Sequence, residues 1–218
     1  MLIENSQQDI IIDLPQEVTT VGLKISGGAD SSITGYMLSK YVKEERPDIK
    51  IIPVTIDQVG KAFQVKFAKR IIKYFKQEFG DIFLNHVTGI SNDEMAEYAS
   101  TQQEIMDRLY DENKIQKHFV GLTKNPDPKD IKGIEDGCYE PPDRIRQTEL
   151  KSTVAGNCYR PFINIDKKGV AEVYNKLGLM DTLFPLTRSC EEYTDNFDSH
   201  CGKCWFCAER FYGFGRLD

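Results

Sequence analysis

Val21-Gly22-Leu23-Lys24-Ile25-Ser26-Gly27-Gly28-Ala29-Asp30-Ser31-Ser32-Ile33 runs from an apolar strand, through a glycine turn, into a helix. Val21, Leu23 and Ile25 alternate as in a strand, and Ile33, Tyr36, Met37 and Tyr41 repeat at helical spacing. Two glycines let the chain turn tightly and leave no side chain in a ligand's way. The helix start offers unpaired N–H groups and the positive end of the helix dipole. Ser26, Ser31 and Ser32 add hydroxyl donors, so the whole reads as a cradle for phosphate oxygens. Asp30 would repel phosphate unless it caps the helix or holds a magnesium ion. No Gly-Lys-Ser/Thr follows, and the glycine spacing is not G-x-G-x-x-G, so neither common nucleotide loop fits.

Outward from this stretch, strands and helices alternate. Ile49 to Ile56 is a short, β-branched apolar run, expected as a buried strand. Ala68, Ile71, Ile72, Phe75 and Phe79 are spaced as a helix, and Ile82 to Val87 reads as a third strand. Met95 to Leu109 is a further helix, Phe119 to Leu122 a fourth strand, and Val170, Val173, Tyr174 and Leu177 a late helix. Such alternation predicts an α/β fold, a doubly wound, Rossmann-like parallel sheet with ligands beyond the carboxyl ends of its strands. Residues 1–20 are a polar extension in which Ile10-Ile11-Ile12 adds an edge strand or packs on the surface. The proline-rich stretch 123–160 lacks a period and is expected to be a substrate loop region. The reading is one α/β domain over 1–186 and a small metal-binding appendage over 187–218.

That appendage holds Cys190, Cys201, Cys204 and Cys207, spaced C-x10-C-x2-C-x2-C. Each C-x2-C turn aims two sulfurs at one ion, and Gly202 suits the turn. Four thiolates match a closed, structural tetrahedral zinc site. An iron–sulfur cluster uses four cysteines too, while disulfides are disfavoured without signs of an oxidising compartment. His200 could replace one thiolate. Cys138 and Cys158 read as free thiols.

The Ser26–Ser32 string is similar to the pyrophosphate-binding loop of the N-type ATP pyrophosphatases, the adenine nucleotide alpha hydrolase-like fold. That resemblance implies Ser26, Gly27, Gly28, Ala29, Asp30, Ser31 and Ser32 as the ATP phosphate site. Asp57 and Gln58, followed by Lys61 and Lys66, end the second strand, which in those enzymes lies near adenosine. Lys168 aligns with a lysine before the late helix that helps hold the phosphates. Asp30, Ser31 and Lys168 are thereby the implied catalytic residues. Together with Arg160–Leu179, Thr187-Arg188-Ser189-Cys190, His200–Arg210 and Gly213-Phe214, the chain resembles the 7-cyano-7-deazaguanine synthases, the QueC family, over roughly residues 20–215.

In that family ATP adenylates the carboxylate of 7-carboxy-7-deazaguanine, and ammonia displaces AMP to give the amide. A second ATP activates the amide oxygen, and loss of AMP leaves the nitrile. The resemblance implies ATP, Mg²⁺ and Zn²⁺ as cofactors, a homodimer and a cytoplasmic location. Between Gly121 and Asp143 the chain departs from the family's substrate stretch, and the Cys190–Cys201 gap is long. An enzyme that stops at the amide is therefore an alternative. Glu140 and Asp143 could meet a guanine-like edge or be solvated loop acids.

Composition narrows the classes further. The 218 residues carry 28 Lys+Arg against 34 Asp+Glu, a net charge of −6, with 40% hydrophobic residues. That is enough apolar content for a core, and too acidic for bulk electrostatic binding of nucleic acid. Residues 40–80 are locally basic, ten Lys/Arg against five Asp/Glu, yet mostly on one helix where a solvated face suffices. A tRNA thiolase or lysidine-type ligase, and an idle nucleotide-binding module, are the rival readings. No window reaches the ~18 apolar residues of a membrane span, and no basic, hydrophobic leader opens the chain.

Overall fold

Strands β3 (Thr20–Lys24) and β4 (Lys50–Gln58) pair in parallel from Thr20↔Lys50 to Lys24↔Val54. They form the middle of a sheet in a computed structural model that describes residues 1–60, 62–92, 95–131 and 149–218. β5 (Val87–Ser91), β6 (Lys117–Val120), β8 (Cys158–Tyr159) and β7 (Val154–Ala155) complete six strands in the order β5-β4-β3-β6-β8-β7. Five strands are parallel, and only β7 runs antiparallel, to β8. A separate pair, β1 (Leu2–Ile3) and β2 (Ile10–Ile11), lies outside this sheet.

Period-two alternation splits the sheet between two cores. Val21, Leu23 and Ile51 face α1 (Ala29–Glu44), α2 (Gln64–Phe79) and α4 (Lys167–Lys176). Ile52, Val54 and Ile56 face α3 (Met95–Asp111) through Ile105, Met106 and Leu109. Helices therefore cover both faces, as the alternation predicts. The chain winds outward from β3 through β4 to β5, then returns to place β6 on β3's other side. A crevice opens where the winding reverses, and the Ser26–Ser32 loop sits there.

α2 shows why sequence pattern and packing agree. Phe67, Ala68, Ile71, Ile72, Phe75 and Phe79 are buried, while its five cations, Lys66, Lys69, Arg70, Lys73 and Lys76, are exposed. The basic stretch is thus the wet side of an amphipathic helix.

Three expectations shift. The third strand is Val87–Ser91, not Ile82–Val87; Phe83 makes only an isolated bridge to Ile51. The fourth ends at Val120, which frees Gly121 and Leu122 for the crevice. Ile10-Ile11-Ile12 neither extends the main sheet nor lies on the surface: Ile10 and Ile12 are buried in the main core and only Ile11 is exposed. Its neighbours clasp α4, with Asn5 Nδ2 donating to Gly169 O at 2.8 Å and Gln7 Nε2 to Asp166 Oδ1 at 2.6 Å. No helix among the described residues is long and apolar enough to cross a membrane.

Candidate ATP loop and metal centre

Gly28 caps α1 without a side-chain hydrogen bond, so the first N–H groups of the helix are left for a ligand. The Ser31 and Ser32 hydroxyls donate back to Gly28 O at 3.2 and 2.7 Å, and Ser26 N–H donates to Ser31 Oγ at 3.2 Å. These bonds fix the loop's shape. Gly27 has φ +83°, and a Cβ there would lie 2.3 Å from Phe67 Cβ, so α2 presses directly on the turn.

Asp30 does not cap the helix. Its Oδ2 meets the Lys167 ammonium, and its buried Oδ1 has no hydrogen-bond partner among the described residues. A buried carboxylate oxygen without a partner among the described residues, at the start of a helix, fits a hard cation. Lys167 is 3% exposed and also lies 3.5 Å from Glu209 Oε2. Lys168, by contrast, is exposed, with Nζ 4.4 Å from the Tyr212 ring centroid. The lysine at the loop is therefore Lys167 and not Lys168. Asp166 caps α4 by accepting from Lys168 N and Gly169 N, and this sets the phase that turns Lys167 inward.

The cavity is lined by Ser26, Gly28, Ala29, Asp30 and Ser31 of the loop together with Lys167, Arg188, Ser189, Glu191 and Phe206 from later in the chain. A second hollow continues from it over the strand ends, between Lys24, Thr55, Gln58, Tyr98 and Gln102. Gln58 lies in this hollow. Asp57 does not line it; its carboxylate accepts Val65 N–H at 3.0 Å at the start of α2. Lys66 pairs with Asp198 at 2.7 Å. Lys61, Cys138, Glu140 and Asp143 lie outside the described residues.

Arg188, Ser189, Glu191 and Phe206 bring the 187–218 segment into the lining of the cavity. Arg188 N–H donates to Gly27 O at 2.9 Å. The Arg188 guanidinium binds Cys190 O, Glu192 O and Ser199 O and lies 4.9 Å from the Phe63 ring centroid. It thus ties the first cysteine to the loop before the other three, and its Nε–H has no acceptor among the described residues. Arg210 is fully buried in α5 (Trp205–Phe214), bonded to Phe184 O, Thr187 Oγ1 and Leu217 O. Burial lowers its pKa to about 10.

The four cysteine sulfurs lie within 4.8 Å of one another. Cys201–Cys207 and Cys190–Cys204 are 3.8 and 3.9 Å apart. Metal–sulfur bonds of about 2.3 Å in a tetrahedron put the sulfurs about 3.8 Å apart, so the set fits one ion. Hydrogen bonds from Cys204 and Cys207 hold the Cys190 thiol well below its usual range, while hydrogen bonding to Cys190 pushes Cys207 up to about 12. Sulfurs this close cannot all ionise without a cation between them. Lys203 N–H and Cys204 N–H point at Cys201 Sγ, at 3.4 and 3.3 Å, and Gly202 takes φ +74° in that turn. His200 is not in the set; its Nε2 accepts from Ser189 N–H and its Nδ1 faces Asp218. Cys158 is half-buried, and burial raises its pKa.

Sequence reading missed Lys167, Arg188, Glu191, Phe206 and Glu209. Arg188, Phe206 and Glu209 lie in the stretches that carry the family resemblance but were given no role there, and for Lys167 the signal is the Asp166 cap that fixes the helix phase.

No curated protein matches the chain in sequence. Among solved structures, U34-tRNA thiolase NcsA from Methanococcus maripaludis, solved with its [4Fe-4S] cluster, is similar at a TM-score of 0.47 and 15% identity. The similarity covers 89% of this chain and 64% of that one, so the chain spans less than two thirds of that protein. Residues 146–218, which carry Lys167, Arg188 and all four clustered cysteines, match the family model described as Queuosine biosynthesis protein QueC.

Proposed function

We propose that the chain is an ATP-dependent, AMP-forming ligase that converts the carboxylate of 7-carboxy-7-deazaguanine to the amide and then the nitrile. The observation that carries this reading is a cavity lined both by the Ser26–Ser32 loop and by the QueC-matched segment.

A carboxylate is a poor electrophile because hydroxide leaves badly. Attack of its oxygen on the α-phosphorus of ATP expels pyrophosphate and gives an acyl-adenylate. Ammonia then adds to the acyl carbon and AMP leaves. The amide oxygen attacks a second ATP, and loss of AMP and a proton yields the nitrile. Positioning and charge neutralisation supply most of such catalysis. The first N–H groups of α1, with the Ser26 hydroxyl, hold the leaving pyrophosphate. Lys167 and Arg188, which line the same cavity, balance its charge. Asp30 is the residue that would hold Mg²⁺, which supplies further neutralisation of the phosphates. The hollow over the strand ends, with Gln58, takes the adenosine.

Zinc is the ion proposed for the four cysteines. Their sulfur spacing suits one tetrahedral centre, whereas a cluster spreads its ligands over several irons. Four protein ligands leave no open position, so its role is to hold the wall.

The test is incubation with 7-carboxy-7-deazaguanine, ATP, Mg²⁺ and ammonium, read by mass spectrometry, with metal analysis of the purified chain. AMP, the nitrile and one zinc per chain are expected. Amide without nitrile would restrict the reading to the first half-reaction. No AMP with this acid would refute it, and iron with acid-labile sulfide would refute zinc.

A further inference from the structure

Two buried carboxylates face one buried ammonium behind the loop. Lys167 touches Asp30, 8% exposed, and Glu209, 1% exposed. Buried charge is tolerated only when paired. Asp30 has a second claim on its charge: it lines the cavity, and its buried Oδ1 has no hydrogen-bond partner among the described residues. When a divalent cation arrives with ATP, Asp30 has a stronger attraction than Lys167. Among the described residues, Glu209 is the other carboxylate paired with Lys167, and it is left to keep that lysine charged and stationed at the loop.

Glu209 stands on α5. That helix is capped by Cys204 and carries Cys207 in its first turn. Further along, a Cβ on Gly213 would lie 2.5 Å from Lys167 O, so the helix is pressed onto the Lys167 backbone. The cysteine centre and the lysine are therefore joined through one ten-residue helix.

We infer that Glu209 is a positioning residue which stations Lys167 at the nucleotide loop and thereby makes nucleotide affinity depend on metal loading of the four cysteines. The inference rests on the ATP reading above, but not on the identity of the acid substrate.

The experiment titrates α,β-methylene ATP with Mg²⁺ into zinc-loaded wild type, Glu209→Gln and Glu209→Asp, with zinc content measured on each. Glu209→Gln keeps wild-type zinc but binds the analogue about tenfold more weakly, the loss of one charge-assisted contact. Glu209→Asp recovers part of the loss, and adenosine alone binds all three equally. Stripping zinc from wild type weakens binding by a similar factor, and stripping it from Glu209→Gln adds little, as expected of groups acting as one unit. Unchanged affinity in zinc-replete Glu209→Gln would overturn the inference, as would loss of zinc together with affinity, or additive losses. A wild-type chain that binds no analogue would instead overturn the ATP reading on which it stands.

Discussion

Adjacent lysines on one helical turn point about 100° apart, and that angle separates Lys167 from Lys168. The first is sealed between Asp30 and Glu209; the second lies over the Tyr212 ring in solvent. Lys167→Met should cut AMP formation by about 100-fold or more, given the worth of a charge aimed at developing negative charge. It should also destabilise the fold by roughly 3 kcal/mol, because two carboxylates lose their buried partner. Lys168→Met should leave the rate within about twofold, the usual scale of an exposed substitution. Initial rates and urea unfolding of both variants check this, and the reverse ranking would restore Lys168. The loop residues Ser26 to Ser32 were legible because their function needs only local backbone and a strand and helix on either side. Lys167 was not, since its choice over Lys168 depends on where Asp166 starts the helix.

Elements were legible where an apolar period ran unbroken, as in β4 and α2, and failed where burial comes from far away. The third strand shifted because Ile82 and Phe83 are buried but meet β4 at a single bridge, Ile51↔Phe83, while the continuous ladder runs over Val87–Ser91, where Ile90 is exposed. α5 carries the clearest consequence of close packing. Gly213→Ala forces a methyl into the Lys167 backbone, which cannot yield as a side chain tip would. It should cost about 1–3 kcal/mol and weaken ATP binding, while zinc content is retained. Urea midpoints and analogue titration measure the two effects; an unaltered midpoint would mean that α5 can slide.

For the molecule as a whole, acid should be more damaging than its modest charge suggests. Burial lowers His86 to about 4 and His118 to about 4, from 6.5. The unfolded chain takes up these protons first as pH falls, so the stability tied to neutral imidazoles is intact above about 6.5 and drains away toward 4. The urea midpoint should therefore fall between pH 7.5 and pH 5, and a His118→Gln variant should show a shallower fall. A flat profile would mean that neither ring is buried in solution. The cysteine set was legible at whole-chain scale, but its place as a cavity wall was not. Arg188 on Gly27 and Glu209 on Lys167 join parts of the chain that no local pattern connects.

The clasp of residues 5–7 on the start of α4 sets an order of events during synthesis. Its partners lie 159 to 166 positions apart, as in Gln7 with Asp166 and Ser6 with Glu172. At about 5–20 residues per second, a ribosome takes roughly ten to thirty seconds to deliver the second half of each pair. Through that interval the β1–β2 hairpin has no α4 to grip, and the glycine loop lacks Lys167 and Arg188. The cavity at the glycine loop is therefore completed only after α4 and α5 have emerged, and a nascent chain stalled before α5 would hold only part of its lining.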